Sequence, residues 1–100
     1  MIASIITNNI DQIKNICEKH HVKELYVFGS AAKNKMTDKS DVDFSIDFDG
    51  VSEIDFANNY FLLIERLQDL LNRKVDFVTE KYLRNKYLIR EINETKVKLI

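Results

Sequence analysis

The chain contains no proline, only two glycines and a single cysteine in 100 residues. The absence of proline removes proline-rich linkers, and no internal repeat or low-complexity tract divides the chain. It reads as one continuous unit, a single domain over residues 1–100. With Cys17 alone, an intrachain disulfide and a cysteine-rich zinc site are both excluded. Cys17 is expected in the core. No apolar stretch approaches the roughly 20 residues that span a bilayer. The N-terminus lacks the charged-then-apolar order of a secretion signal. A cytoplasmic location with no membrane partner is therefore expected. Nor is there an excess of charge of one sign. The formal net charge of −1 gives no overall drive toward nucleic acid or membrane. What remains, 45% hydrophobic and 31% charged residues, is the balance of a soluble globular protein.

The charge is unevenly spread. Asp38 to Asp55 holds seven acids and one lysine, whereas Lys81 to Lys98 holds six bases and two acids. The acidic stretch suits a cation. The basic stretch suits an acidic partner, a nucleotide or RNA, or is simply a solvated helix face.

Hydrophobic spacing outlines the elements. Ile6, Ile10, Ile13 and Cys17 recur at helical intervals, with Thr7 or Asn8 as cap and an end near His20. His20 and His21 then sit where a cation favours the helix dipole. Leu25-Tyr26-Val27-Phe28 is an apolar run that fits a strand covered on both faces, hence central in its sheet. Ser30 to Lys35 reads as a short helix. Val42, Phe44, Ile46 and Phe48 alternate with Asp41, Asp43, Ser45, Asp47 and Asp49, giving a strand with one core face and one polar, open face. Asp47 and Asp49 read as solvated strand-end residues. Ile54 to Leu71 reads as the longest helix, with an apolar stripe of Ala57, Tyr60, Phe61, Ile64, Leu67 and Leu71. Val75-Asp76-Phe77-Val78 is a third strand, with Val75 and Phe77 opposite Asp76 and Val78. A last helix is expected from about Leu83 to Asn93, and Val97 to Ile100 as a short edge strand. Tyr82 and Tyr87 fit either internal packing or a partner surface. The order predicts an α+β fold, a small mixed sheet of three to four strands packed with helices in two layers.

The chemistry concentrates between Gly29 and Phe44. A glycine after a strand lets backbone approach a ligand, and a following helix N-terminus offers N–H groups to a phosphate. Ser30 adds a hydroxyl. Lys33 and Lys39 carry charge that neutralises phosphate as point charges. Eleven residues after Ser30, Asp41 and Asp43 occupy alternate positions of a strand and so aim at one point. Mg²⁺ takes oxygen ligands, usually one or two carboxylates plus substrate phosphates. Two such ions clamp an in-line phosphoryl displacement. Acids lined along one strand face repel each other, and a cation relieves that repulsion. Asp76, costly between Val75 and Phe77, is the natural third carboxylate and proton acceptor; otherwise it is a surface acid on an edge strand.

Gly29-Ser30, the segment Ser40-Asp41-Val42-Asp43-Phe44 and Val75-Asp76-Phe77-Val78 resemble the minimal nucleotidyltransferases (MNT) of the DNA polymerase β-like superfamily. The likeness runs from about Leu25 to the C-terminus. It implies the polymerase β-like nucleotidyltransferase fold and transfer of AMP from ATP, with two Mg²⁺ ions, to an acceptor hydroxyl. It also implies Gly29, Ser30, Lys33 and Ser40 as nucleotide-binding residues. Asp41, Asp43 and Asp76 become the catalytic, metal-binding carboxylates. Many members of the family act as antitoxin to a helical HEPN ribonuclease toxin, some by moving AMP onto a tyrosine of it. One departure stands out. The family often has arginine then glycine four and five residues after its glycine, where this chain has Lys33 and Asn34. The bidentate fork is lost and the charge is kept.

Three functions follow as expectations. The first is an active protein adenylyltransferase whose acceptor is a docked partner, a HEPN toxin foremost. The second is a binding module that neutralises the partner by occlusion. The third is transfer to RNA or a small molecule, disfavoured by the acidic balance and by the lack of room for an acceptor-gripping domain. Self-association is left open.

Overall fold

The computed structural model describes residues 2–37, 39–48 and 53–100, with side chains from residue 57 onward in the last stretch. The expectation for Asp49 lies outside these residues, as do Asp38 and the side chains of Ile54 and Asp55. The elements are α1 (Ser4–Thr7), α2 (Ile10–Lys19), β1 (Val22–Phe28), β2 (Val42–Phe48), α3 (Glu53–Leu71), β3 (Val75–Val78), α4 (Lys86–Thr95) and β4 (Val97–Lys98). A single 3₁₀ turn at Glu80–Tyr82 joins β3 to α4.

The four strands form one mixed sheet in the order β3-β2-β1-β4. β1 pairs antiparallel with β2 and β4, and β2 pairs parallel with β3. A parallel pair needs a long crossover, which α3 supplies. The central place expected for the apolar run Leu25 to Phe28 is found, and β4 is the short edge strand. Asp76 lies on the other edge strand, β3.

Strand alternation divides the sheet. Leu25, Val27, Val42, Phe44, Ile46 and Val75 point into the core with Ile6, Ile13, Cys17, Leu63, Leu67 and Leu71 of the helices. Burying each of these large side chains contributes about 1.5–3 kcal/mol, so this helix-covered face holds most of the folding drive. Tyr26, Asp43, Ser45 and Asp76 lie on the opposite face. There, Phe28 and Ile92 are buried but stand outside the main cluster. Among the described residues, no helix is long and apolar enough to cross a membrane.

Several local expectations are corrected. The first helix is two helices. Asn9 Nδ2 donates to the Ile5 carbonyl at 2.8 Å, a side-chain bond that competes with the backbone ladder, and Ile13 N–H restarts the helix on the Asn9 carbonyl at 2.9 Å. Asn9, not Thr7 or Asn8, stands at the N-terminus of α2. His20 stands at the end of α2, as expected, and is buried. Its Nδ1 lies 2.9 Å from Asn59 Oδ1, and Asn59 Nδ2 donates to the His20 carbonyl at 2.6 Å, tying α2 to α3.

Ser30 to Lys35 forms a turn, not a helix. Lys33 N–H reaches the Gly29 carbonyl at 3.3 Å, but Asn34 has a φ of 54°, and a left-handed residue stops helix propagation. In α3 the buried stripe is Leu63, Leu67 and Leu71. Phe61, two residues and about 200° around the helix from Leu63, is 67% exposed, and Ala57 is exposed as well. α4 begins after Asn85, whose Oδ1 accepts from the Tyr87 and Leu88 N–H groups at 2.9 and 3.2 Å. It therefore starts later than Leu83 and extends past Asn93. Tyr82 and Tyr87 are both exposed, which removes internal packing as their role.

Candidate active site

Gly29 terminates β1 with a φ of 70°, a conformation costly for any residue with a Cβ. Space is equally restrictive. A Cβ here would lie 3.2 Å from Asp43 Oδ2 and 3.5 Å from Glu91 Oε1. The backbone bend thus brings the Gly-Ser turn against the carboxylate of Asp43. The amide groups of Ser30, Ala31 and Ala32 have no hydrogen-bond partner among the described residues. Successive free amides at a turn form an anion-binding concavity; here Ser30 is partly open, whereas Ala31 and Ala32 are buried. The Gly29 N–H differs from that expectation, because Thr95 Oγ1 accepts it at 3.0 Å. Lys33 is exposed on the same turn.

Asp43 sits in β2, directly opposite Phe28 of β1 and in register with Asp76 of β3. Paired residues share a sheet face, so the β2–β3 pairing sets Asp43 and Asp76 side by side. Asp41 immediately precedes β2. Burial pushes the Asp43 carboxyl up to about 6, with further contributions from the charges of Asp76, Asp41 and Glu91. The three predicted carboxylates therefore act on one neighbourhood. None of them has an ion-pair partner among the described residues.

This donor set suits a hard divalent cation, which takes carboxylate oxygen and relieves like-charge repulsion. Among the described residues, no three His, Cys, Asp or Glu side chains stand ready to hold an ion. Binding one requires these carboxylates to turn toward a common point.

Ser40 has a structural engagement. Its Oγ accepts the Thr37 N–H at 2.8 Å. Arg73 Nη1 donates to the carbonyls of Thr37 at 2.5 Å and Ser40 at 3.2 Å. The Val42 N–H bonds the Lys74 carbonyl at 2.9 Å. The turn after α3 thus braces the loop that delivers Asp41. Sequence reasoning missed Arg73, Glu91 and Thr95. Thr95 and Glu91 lie on one α4 face, four residues apart, and Thr95 Oγ1 donates to the Glu91 carbonyl at 2.7 Å. The only sequence signal was that spacing, within a segment read as a solvated helix.

A Gly-Ser turn stands against paired carboxylates on a mixed sheet, the donor types that a phosphate and a divalent cation would require. Comparison with known proteins gives the family and the fold. Residues 10–99 match the family model described as the nucleotidyltransferase domain, and the chain belongs to that family. It is 36% identical over 93 residues to a Methanocaldococcus jannaschii protein provisionally named a protein adenylyltransferase, covering 85% of this chain and 92% of that one. It is 33% identical over 94 residues to the protein adenylyltransferase MntA of Thermococcus cleftensis, covering 91% and 89%. Among solved structures, a chain provisionally described as a minimal nucleotidyltransferase superposes with a TM-score of 0.76 at 23% identity, covering 97% of this chain and 95% of that one. An MNT antitoxin complexed with a tri-AMPylated Shewanella oneidensis HEPN toxin is also similar, with a TM-score of 0.63 at 18% identity, covering 94% and 71%. These two likenesses concern the fold, and they bear out the α+β architecture expected from the sequence.

Proposed function

We propose that residues 1–100 work as one catalytic unit that moves AMP from ATP onto a hydroxyl of a partner protein, a HEPN-type toxin, and thereby act in the cytoplasm as its antitoxin. The observation that carries this reading is the register pairing of Asp43 with Asp76 beside the free amides after Gly29. The names of the relatives support it, since they are protein adenylyltransferases. A similar fold is found in an antitoxin bound to a HEPN toxin.

In this reading the amides of Ser30 to Ala32 and the Ser30 hydroxyl hold the triphosphate, and Lys33 adds positive charge from the turn. Ser40 keeps the loop before Asp41 in place. Asp41, Asp43 and Asp76 would hold the divalent ions. Bound there, Mg²⁺ would neutralise negative charge on the phosphate oxygens and orient the phosphates. The acceptor oxygen forms a bond to the α-phosphorus, and the bond from that phosphorus to the bridging oxygen of the β-phosphate breaks. Pyrophosphate leaves toward the Gly-Ser turn. Asp76, the most exposed of the three carboxylates, takes the proton from the acceptor hydroxyl.

One observation favours the occlusion reading. Thr95 already occupies the Gly29 N–H, and Glu91 places a carboxylate beside the turn, which opposes an incoming triphosphate. A single experiment separates the two. Purified chain and toxin are incubated with Mg²⁺ and ATP labelled at the α- or the γ-phosphate. Transfer predicts label on the toxin from the α position only. Asp41→Ala and Asp43→Ala abolish it while circular dichroism stays unchanged. Full neutralisation of the toxin by the same variants, without label, would establish occlusion instead.

A further inference from the structure

The turn that closes α3 does more than reverse the chain. Asn72 takes a left-handed φ of 52°, which ends the helix and carries Arg73 across to the loop before β2. There the partly buried guanidinium donates from Nη1 to the carbonyls of Thr37 at 2.5 Å and Ser40 at 3.2 Å. These bonds span 36 and 33 positions of sequence. Arg73 makes no salt bridge to a carboxylate among the described residues. Its charge therefore strengthens a staple on two carbonyls instead of neutralising the acids of the site.

The stapled loop is shaped by local bonds. The Ser40 N–H donates to the Thr37 carbonyl at 3.1 Å, Ser40 Oγ accepts the Thr37 N–H at 2.8 Å, and the Lys39 N–H reaches Thr37 Oγ1 at 3.4 Å. Such bonds fix the form of a turn but not its place on the sheet. Met36 packs on the core before the turn. The Val42 N–H donates to the Lys74 carbonyl after it. Arg73 holds the turn between these two anchors. Asp43 and Asp76 are placed by the β2–β3 register, whereas Asp41 precedes the paired segment, so its backbone depends on the loop. A functional constellation has to be held to about 0.5 Å by its supports, and Asp41 is the carboxylate for which that support is a side chain.

We propose that Arg73 is a positioning residue of the metal site: it holds the backbone before Asp41 so that this carboxylate can turn toward the same ion as Asp43. The proposal rests on the nucleotidyl-transfer reading above and adds a residue that acts through Asp41. It makes the metal-dependent part of nucleotide binding sensitive to Arg73 and leaves the Gly-Ser turn untouched.

Calorimetry tests this by reading AMP-PNP affinity for the full chain in Mn²⁺ and again in EDTA. In the parent, Mn²⁺ raises that affinity, and Asp41→Ala removes the gain. Arg73→Met keeps the aliphatic stem and removes the donors. It cuts the gain at least tenfold while the affinity in EDTA stays at the parent value. Arg73→Lys, which keeps a charged donor, recovers part of the gain. Leu63→Ala, destabilised in the core, keeps all of it. In metal-free protein, hydrogen exchange of the Val42 amide quickens in Arg73→Met, whereas the Phe44 amide holds its parent rate. Circular dichroism checks folding; should Arg73→Met not fold, Arg73→Gln, whose shorter amide falls short of the loop, takes its place with the same outcomes. An undiminished gain overturns the role. So does an equal loss in EDTA and in Mn²⁺, which marks a residue that merely supports the fold. Failure of the transfer reading looks different, and the positioning role falls with it: Mn²⁺ adds nothing in the parent, or Asp41→Ala keeps the whole gain.

Discussion

Replacing Asp43 by asparagine removes a charge that the fold holds at some cost. Its carboxyl is raised from 3.8 to about 6 by burial and by Asp76, Asp41 and Glu91. At about 1.4 kcal/mol per unit, the full shift corresponds to about 3 kcal/mol as an upper bound. Asp43 is only half-buried, and solvent screening reduces this to about 1–2 kcal/mol. The sign follows from linkage. Between pH 3.8 and about 6 the folded state binds more protons than the unfolded state, so stability falls as pH rises through that window. The penalty is absent below pH 3.8 and complete above pH 6. Asp43→Asn escapes it. Urea unfolding in EDTA should therefore show the variant gaining about 1–2 kcal/mol over the parent at pH 7.5 relative to their difference at pH 4. Added Mg²⁺ should shrink that gain, because binding to the folded parent stabilises it by mass action. An equal difference at both pH values would refute the reasoning, since neither burial nor the neighbouring acids would then penalise the Asp43 charge.

Gly29→Ala forces a Cβ into a left-handed backbone and to 3.2 Å from Asp43 Oδ2; the expected loss is about 1–2 kcal/mol by urea unfolding. A neutral substitution would contradict the tight turn. Leu63→Ala opens a hole in the α3 packing and should cost about 2–5 kcal/mol. Phe61→Ser, on the exposed face, should change stability by less than about 0.5 kcal/mol, and the reverse ranking would mean that α3 is rotated. Burial pushes the Cys17 thiol up to about 12, so at pH 8 it should react with Ellman's reagent only as fast as the protein unfolds. Rapid labelling of the native chain would place it at the surface.

The elements that carry the candidate site were legible in the sequence because strand alternation and spacing are local. Asp41 and Asp43 follow from period two, and Gly29 from the end of an apolar strand. That Asp76 stands beside Asp43 needed the β2–β3 register, which no local pattern fixes, although the topology made it the natural neighbour. The expected α3 stripe holds at Leu67 and Leu71 but takes Phe61 and Ala57 in place of Leu63, because an 18-residue segment rich in Phe, Tyr, Leu and Ile supports more than one stripe. The Ser30 to Lys35 turn was misread because alanine and lysine favour a helix, whereas Asn34 takes the left-handed conformation that ends it. Glu91 and Thr95 come to the site only because α4 folds back over the end of β1. That is tertiary information, and their spacing alone did not distinguish them from a solvated face.

The most direct test is diffraction from crystals grown with Mn²⁺ and AMP-PNP, read as anomalous difference density. Peaks should lie among the carboxylates of Asp41, Asp43 and Asp76, with the triphosphate over the Ser30 to Ala32 amides. Nucleotide bound there with no manganese near these side chains, or manganese bound on the far side of the sheet, would contradict the proposed chemistry.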